Sequence, residues 1–262
     1  MNVLELYRRL PRTNCGKCAQ KACMPFAVAL AKGDATADAC PGLTPEQREQ
    51  IVGGSAKGDW RESVVAGLRA EVAGLPFAEI APGLGATLRE GSLLIRCLGR
   101  EYRVGADGAI DAPEAPGPVA PWMRILLLHY VRTRGNAPPV GRWVAFTELK
   151  AALMKSKSFA REAEEPLRAL FDRDAGAAGR ALERLGAVRD PGQPAPVAWR
   201  LAALPRVPVL VLYWPPEEEF ASKCKVLFDA TADRYLDVES LTFLIEGLAK
   251  NIEHGPDAAP HD

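Results

Sequence analysis

No stretch of this 262-residue chain approaches the roughly 20 consecutive apolar residues that a membrane-crossing helix needs. Formal net charge is +0, which removes any whole-chain pull toward nucleic acid or anionic lipid. No glycine loop has either standard phosphate-cradling pattern, the glycines at 83–85 included. No Ser/His/Asp or Cys/His constellation stands out, and there is no internal repeat or low-complexity block. The first residues, MNVLELYRRLPRTN, put Arg8 and Arg9 after a very short apolar stretch, without the apolar core of a signal peptide. These absences point to a cytoplasmic protein with no membrane span and no nucleic-acid partner. In that compartment thiols stay reduced, so clustered cysteines read as metal ligands before disulfides.

Four of the six cysteines fall in the first forty residues, as Cys15, Cys18, Cys23 and Cys40. Their spacing is C-x2-C-x4-C-x16-C, within TNCGKCAQKACMPFAVALAKGDATADACP. Four thiolates held by one short loop and one short helix can surround a single metal centre. The residues between them are mostly small, so the backbone can close around something bulky. A C-x2-C pair lets neighbouring thiolates grip different corners of one cluster, and Gly16 permits the tight turn between them. Soft thiolates suit iron in such a cluster. The spacing therefore reads as a 4Fe-4S site. A structural zinc site, usually built from two C-x2-C knuckles, is the alternative, and disulfides are a third reading.

Charge adds a second clue. Residues 1–50 hold seven Lys or Arg against five acids, and five of the cations precede or separate the first three cysteines. Nearby cations favour the more negative, reduced form of an anionic cluster. They also suit an acidic, ferredoxin-like redox partner. A solvated basic face with no docking role is the plainer reading.

Along the chain, the pattern is α+β: a small all-α cluster domain over 1–52, a larger mixed α+β domain over 60–252, and a flexible tail over 253–262. Residues 1–10 predict a short helix with Asn2 and Glu5 at its start and Leu4, Tyr7 and Leu10 on its apolar edge, stopped by Pro11. A second helix is expected over about 23–32, ending at Gly33. Pro41 keeps Cys40 out of a helix. Thr44-Pro45-Glu46-Gln47 is a helix start, and GGSAKGD at 53–59 reads as a linker. Residues 92–104 predict a hairpin turning at Gly99-Arg100 in type II′ geometry, with a second tight turn at Asp107-Gly108. A proline-rich connection (111–121) leads to a helix over 122–134. A helix-favouring stretch from Ser158 to Gly186 is expected to break at Pro166. VPVLVLYW (207–214) has the composition of a buried central strand, with a partner over 225–229. Leu241, Leu244, Ile245, Leu248 and Ile252 mark an amphipathic last helix.

Other candidates are each weighed against a plain role. His129 is the one histidine well inside the expected core, suited to ligating a second cofactor, relaying protons, or simply packing. His254 and His261 sit near the end and carry no role. Cys97 and Cys224 read as small buried hydrophobes or as ligands of a second metal. Glu217, Glu218 and Glu219 form an acidic turn, a catalytic acid or a solvated charge run.

The run NCGKCAQKACMPFAVALAKGDATADACP resembles the small four-cysteine 4Fe-4S domain of the large subunit of the corrinoid iron–sulfur protein, and is similar to that in the B subunit of the Rnf electron-transport complex. The pattern N-C-G-x-C-x4-C-x2-F-A-x2-L-x2-G-x6-C-P is met at Asn14, the four cysteines, Phe26, Ala27, Leu30, Gly33 and Pro41. The resemblance implies a 4Fe-4S cluster on Cys15, Cys18, Cys23 and Cys40, low-potential one-electron transfer, and a ferredoxin or corrinoid protein as partner in anaerobic one-carbon metabolism. It leaves room for a second cofactor, a corrinoid or heme, in the larger domain. That domain, through LGREYRVGADG, LLLHY, GRWVAFTEL, ALPRVPVLVLYW, EEEF and LFDATADRYLDVESL, resembles an uncharacterised bacterial and archaeal domain family. The family supplies no activity, so a substrate site there remains a rival reading.

Overall fold

Apolar residues spaced three and four apart build the start of the chain. In the computed structural model, which describes residues 3–32, 35–55, 60–115, 117–135 and 137–255, helix α1 spans Val3–Arg9 and α2 spans Cys23–Lys32. Leu6 and Leu10 are buried, whereas Leu4, expected on the apolar edge, is 61% exposed. Residues four apart share a helix face, and Leu6 and Leu10 rather than Leu4 occupy the inward one. Asn2 and Gly33, the expected helix ends, lie outside the described residues. A 3-10 turn at Ala37–Ala39 delivers Cys40 in extended backbone. Helix α3 (Pro45–Ser55) opens with a reciprocal cap. The Gln47 N–H donates to Thr44 Oγ1 at 3.2 Å, and the Thr44 N–H donates to Gln47 Oε1 at 3.0 Å. This helix runs on through Gly53 and Gly54, where a linker was expected. A glycine weakens a helix by about 1 kcal/mol without ending it. Residues 56–59 of that stretch lie outside the described residues.

The chain forms two compact units, Met1–Ser63 and Val64–Asp262, the division falling inside α4 (Trp60–Val72). The first unit is helical and closes over Leu6, Leu10, Phe26, Ala27, Leu43 and Ile51, with Cys23 and Cys40 in the same cluster.

The second unit is a mixed α+β fold with two antiparallel sheets. After α5 (Phe77–Leu84), the first sheet is a meander of β1 (Thr87–Arg89), β2 (Ser92–Cys97), β3 (Arg100–Val104) and β4 (Ile110–Asp111). Cys97 pairs with Arg100, so the hairpin turns on Leu98-Gly99, one residue earlier than expected. Both turn residues have positive φ, 49° and 81°, which is type I′ and not type II′. Leucine accepts the left-handed conformation here because its side chain is buried and its N–H donates to the Ala203 carbonyl at 2.9 Å. Packing overrides local preference at this position. The Asp107-Gly108 turn closes as expected, with Gly108 N–H donating to Gly105 at 2.8 Å.

Helix α6 (Pro121–Arg132) precedes β5 (Trp143–Ala145). Helix α7 (Ser156–Phe159) then continues through a π turn at Ala160–Glu164 into α8 (Glu165–Arg184). Pro166 does not break this path. It stands at the second position of α8, just past the wide π turn, where a missing N–H is tolerated. The real interruption is Asp174, with φ −162° and ψ 97°, whose carboxylate accepts the Ala177 N–H at 2.8 Å and restarts the helix.

The second sheet has the order β5-β9-β8-β7-β6, from β6 (Val188–Arg189), β7 (Val197–Leu204), β8 (Val207–Trp214) and β9 (Lys223–Asp229). β8 is central, as its composition predicts, and β9 is its expected partner. β7, on the other side of β8, was not anticipated. The last helix, α9 (Val238–His254), buries Leu241, Leu244, Ile245, Leu248 and Ile252. Among the described residues no helix is long and apolar enough to cross a membrane.

The glycines near 83 have a packing role. A Cβ on Gly83 would stand 2.3 Å from the Gly135 carbonyl oxygen, so two backbones meet there with no room for a side chain. Tyr130 donates to the Leu84 carbonyl at 2.6 Å, and Arg206 Nε donates to the Gly83 carbonyl at 3.1 Å, fixing the same corner. Gly83→Ala is expected to lower stability by roughly 1–3 kcal/mol, the usual cost of overpacking. Urea unfolding followed by tryptophan fluorescence measures it; an unchanged midpoint would contradict the close approach.

Candidate metal centre

Cys23 is the first residue of α2, and its position is set from outside the helix. The Asn14 side-chain carbonyl accepts the Cys23 N–H at 2.8 Å, one of the donors that a helix start leaves unpaired. Asn14 itself has φ +47°, and Arg12 and Lys21 are also left-handed, at +58° and +56°. Gly16 adopts φ +69° between Cys15 and Cys18. The loop is thus a chain of tight reversals, closed at its far end by the Lys21 N–H donating to the Cys18 carbonyl at 3.0 Å. Cys40 reaches the same place from the other side. Its carbonyl accepts from the Leu43 N–H and from Arg48, both at 3.3 Å, and Pro41 and Gly42 follow it.

All four cysteines line one cleft, whose wall includes Pro11 and Phe26. Cys23 and Cys40 are buried, Cys18 is half-buried and Cys15 is exposed. None is in a disulfide. The cleft is narrow, about 10 Å³, room for about one water. Among the described residues, no group of three or more His, Cys, Asp or Glu side chains is gathered tightly enough to hold a single metal ion. Zinc–sulfur bonds of about 2.3 Å would draw four sulfurs to within roughly 4 Å of one another. A polynuclear core spreads its ligands more widely. The donor set and its apolar wall fit such a core.

The thiol of Cys15 is lowered from its ordinary value. The Lys17 backbone N–H contributes most, followed by the Thr13 side chain and the Lys17 ammonium, against a partial desolvation that opposes them. Arg12, Lys17 and Lys21 are exposed around it. Asn14 and Thr13 were not singled out for these contacts by spacing; a polar residue immediately before a C-x2-C pair was the available signal.

The remaining candidates stand apart from this cleft in sequence and in chemistry. Cys97 is fully buried in β2 and its thiol is pushed far up by burial. Burial likewise raises Cys224, in β9, to about 12. Neither is a reactive thiol. Glu217 to Glu219 are exposed, with only a bridge between Glu217 and Phe220. His129, on α6, has its Nδ1 3.3 Å from Asp237 Oδ2. His254 sits at the end of α9 beside Glu253, and His261 lies outside the described residues.

Comparisons with known proteins divide along the same line as the two units. A family model described as "Domain of unknown function (DUF3786)" matches residues 76–251. The chain belongs to that family. A model described as "Putative Fe-S cluster" matches residues 10–41, the segment that contains the four cysteines. Over 51 residues, 20% of this chain, it is 41% identical to the acetyl-CoA decarbonylase/synthase complex subunit gamma of Methanothermobacter thermautotrophicus. Over 48 residues, 18% of the chain, it is 44% identical to the corrinoid/iron-sulfur protein large subunit of Moorella thermoacetica. Each match spans 11% of the relative's length. No solved structure matches the chain significantly.

In metal-free protein, Cys15 is expected to alkylate first, with a pH midpoint below that of a model thiol because its thiolate is favoured. Thr13→Ala should move that midpoint upward. Iodoacetamide labelling with peptide mass spectrometry across pH 6–9.5 reads it out; Cys97 or Cys224 reacting ahead of Cys15 would contradict the assignment.

Proposed function

We propose that Cys15, Cys18, Cys23 and Cys40 hold a 4Fe-4S cluster through which the protein transfers single electrons. The observation that carries this reading is the convergence of the four thiols on one apolar-walled cleft. The match of residues 10–41 supports an iron–sulfur cofactor, and four cysteines with a single C-x2-C pair support the four-iron type. When bound, such a cluster takes up and returns one electron at low potential.

The chain's own residues supply the rest. Asn14 fixes the start of α2 so that Cys23 presents its sulfur from a rigid element. The Lys17 N–H and the Thr13 side chain stabilise negative charge on the Cys15 sulfur, and donors of this kind tune the potential of bound metal. Exposed Arg12, Lys17 and Lys21 favour the reduced state and attract an acidic partner, a ferredoxin or a corrinoid protein. The relatives' printed names tie this type of domain to acetyl-CoA and corrinoid chemistry, which supports a place in one-carbon metabolism. In this reading residues 1–52 are the electron-carrying domain and 60–252 receive the electron or what it activates.

Anaerobically purified protein is expected to contain about four iron and four sulfide, with a reducible brown chromophore and an EPR signal on reduction. Cys18→Ala should lose most of the iron. Stoichiometric zinc with no iron would overturn the cofactor, and an unchanged chromophore in Cys18→Ala would overturn the ligands. Lys17→Glu with Lys21→Glu should slow reduction by an acidic ferredoxin at low salt and lose that difference at high salt; equal rates at both would remove the steering role.

A further inference from the structure

The second unit carries a cleft of about 370 Å³ formed by the end of α6, the segment around Lys150 and the loop leading into α9. At its base lies His129, whose side chain is only 15% exposed. The Asp237 carboxylate orients this imidazole. Asp237 Oδ2 lies 3.3 Å from His129 Nδ1, while Asp237 Oδ1 accepts the Ser240 N–H at 2.8 Å and caps α9. With Nδ1 committed, Nε2 is the ring nitrogen left for a ligand. The carboxylate is held well below the usual range, first by His129 and then by the Ser240 N–H.

The cleft's charges are unevenly spent. Asp237 serves His129 and α9, and Asp233 accepts the Lys150 backbone N–H at 2.9 Å. Arg132 pairs with Glu71 at 3.2 Å. The Lys150 ammonium and the Arg234 guanidinium line the same cleft, and neither has a hydrogen bond or ion pair among the described residues. Next to Lys150, Ala151 sits at φ +60°, a left-handed conformation that costs a non-glycine residue roughly 1–2 kcal/mol. Strain of this kind persists where the surroundings demand it, and it is concentrated at binding sites.

We propose that this cleft binds a small oxyanion, a phosphate- or carboxylate-bearing molecule, held by Lys150 and Arg234 beside His129. Arg234 supplies a planar fork for two oxygens and Lys150 a mobile point charge, with the His129 ring lining the cleft next to them. This site is independent of the cluster reading and stands or falls separately.

The test is calorimetric titration of the 262-residue protein as purified, with inorganic phosphate and with succinate, ionic strength being held constant with sodium chloride. Saturable binding by at least one probe is expected. Phosphate alone assigns a phosphoryl ligand, succinate alone a dicarboxylate, and both a general oxyanion site. Lys150→Gln and Arg234→Gln should each weaken binding about tenfold and His129→Gln less, with iron content and unfolding temperature unchanged. On wild-type protein the same probe should protect His129 from diethyl pyrocarbonate. No saturation by either probe up to about 10 mM, affinity unaltered in the Lys150/Arg234 double variant, or unprotected His129 overturns the proposal.

Discussion

Cys23 and Cys40 belong to the same buried cluster as Leu6, Leu10, Phe26 and Ile51, so the centre of the first unit is at once its core and its candidate site. Every other feature of that unit follows from this sharing. A thiol is comfortable among apolar neighbours, but a thiolate there is costly unless a cation takes up its charge. On the reading proposed above, a metal in the cleft would supply that compensation to Cys23 and Cys40. Binding a metal to ligands presented this way contributes folding free energy directly, because an unfolded chain offers no preformed site.

The second unit follows another logic. Its large core spans both sheets and buries β8 completely along most of its length. Polar side chains in it are spent on architecture. Asp229 is fully buried and accepts from Val140, Gly141 and Thr231, pinning the segment before β5. Glu164, in the π turn, takes Lys225 and the Val226 N–H. Asp172 gathers Arg168, Tyr213 and Ser222. Such closed networks rigidify a fold. The cleft at His129 differs because two of its cations have no such assignment.

Local signals in the sequence were legible wherever the physics is local. The Thr44–Gln47 cap, the α9 stripe and the apolar run of β8 need only neighbours within a turn or a strand, and each stands where its residues put it. Legibility failed where tertiary contact outranks local preference. Leu98 takes a glycine-like conformation because burial and the Ala203 carbonyl hold it, which moves the hairpin by one residue. Pro166 looked like a breaker and is absorbed by a π turn, while Asp174, an ordinary surface residue on paper, interrupts the helix. His129 and Asp237 meet across a hundred residues of chain, and no spacing announces that pair. The four-cysteine segment is the reverse case, since close sequence spacing itself limits how far apart the sulfurs can lie.

Left-handed backbone is denser in the cysteine loop than elsewhere among the described residues. Arg12, Asn14 and Lys21 place three left-handed side-chain-bearing residues within ten positions of the cysteine loop. At roughly 1–2 kcal/mol for each of Arg12 and Lys21, and less for Asn14, which tolerates this conformation, their combined cost is comparable to burying about one large apolar side chain. The first unit has a small core with which to offset it. Glycine at these positions would remove the strain but would also enlarge the unfolded ensemble and loosen the loop. A loop that must present several sulfurs to one object gains from being stiff, because each residue already held in place costs no further ordering when a ligand arrives. Strain at Arg12, Asn14 and Lys21 is on this argument a preorganisation cost; in the second unit positive φ at non-glycine residues occurs singly, at Glu90, Leu98, Arg134 and Ala151.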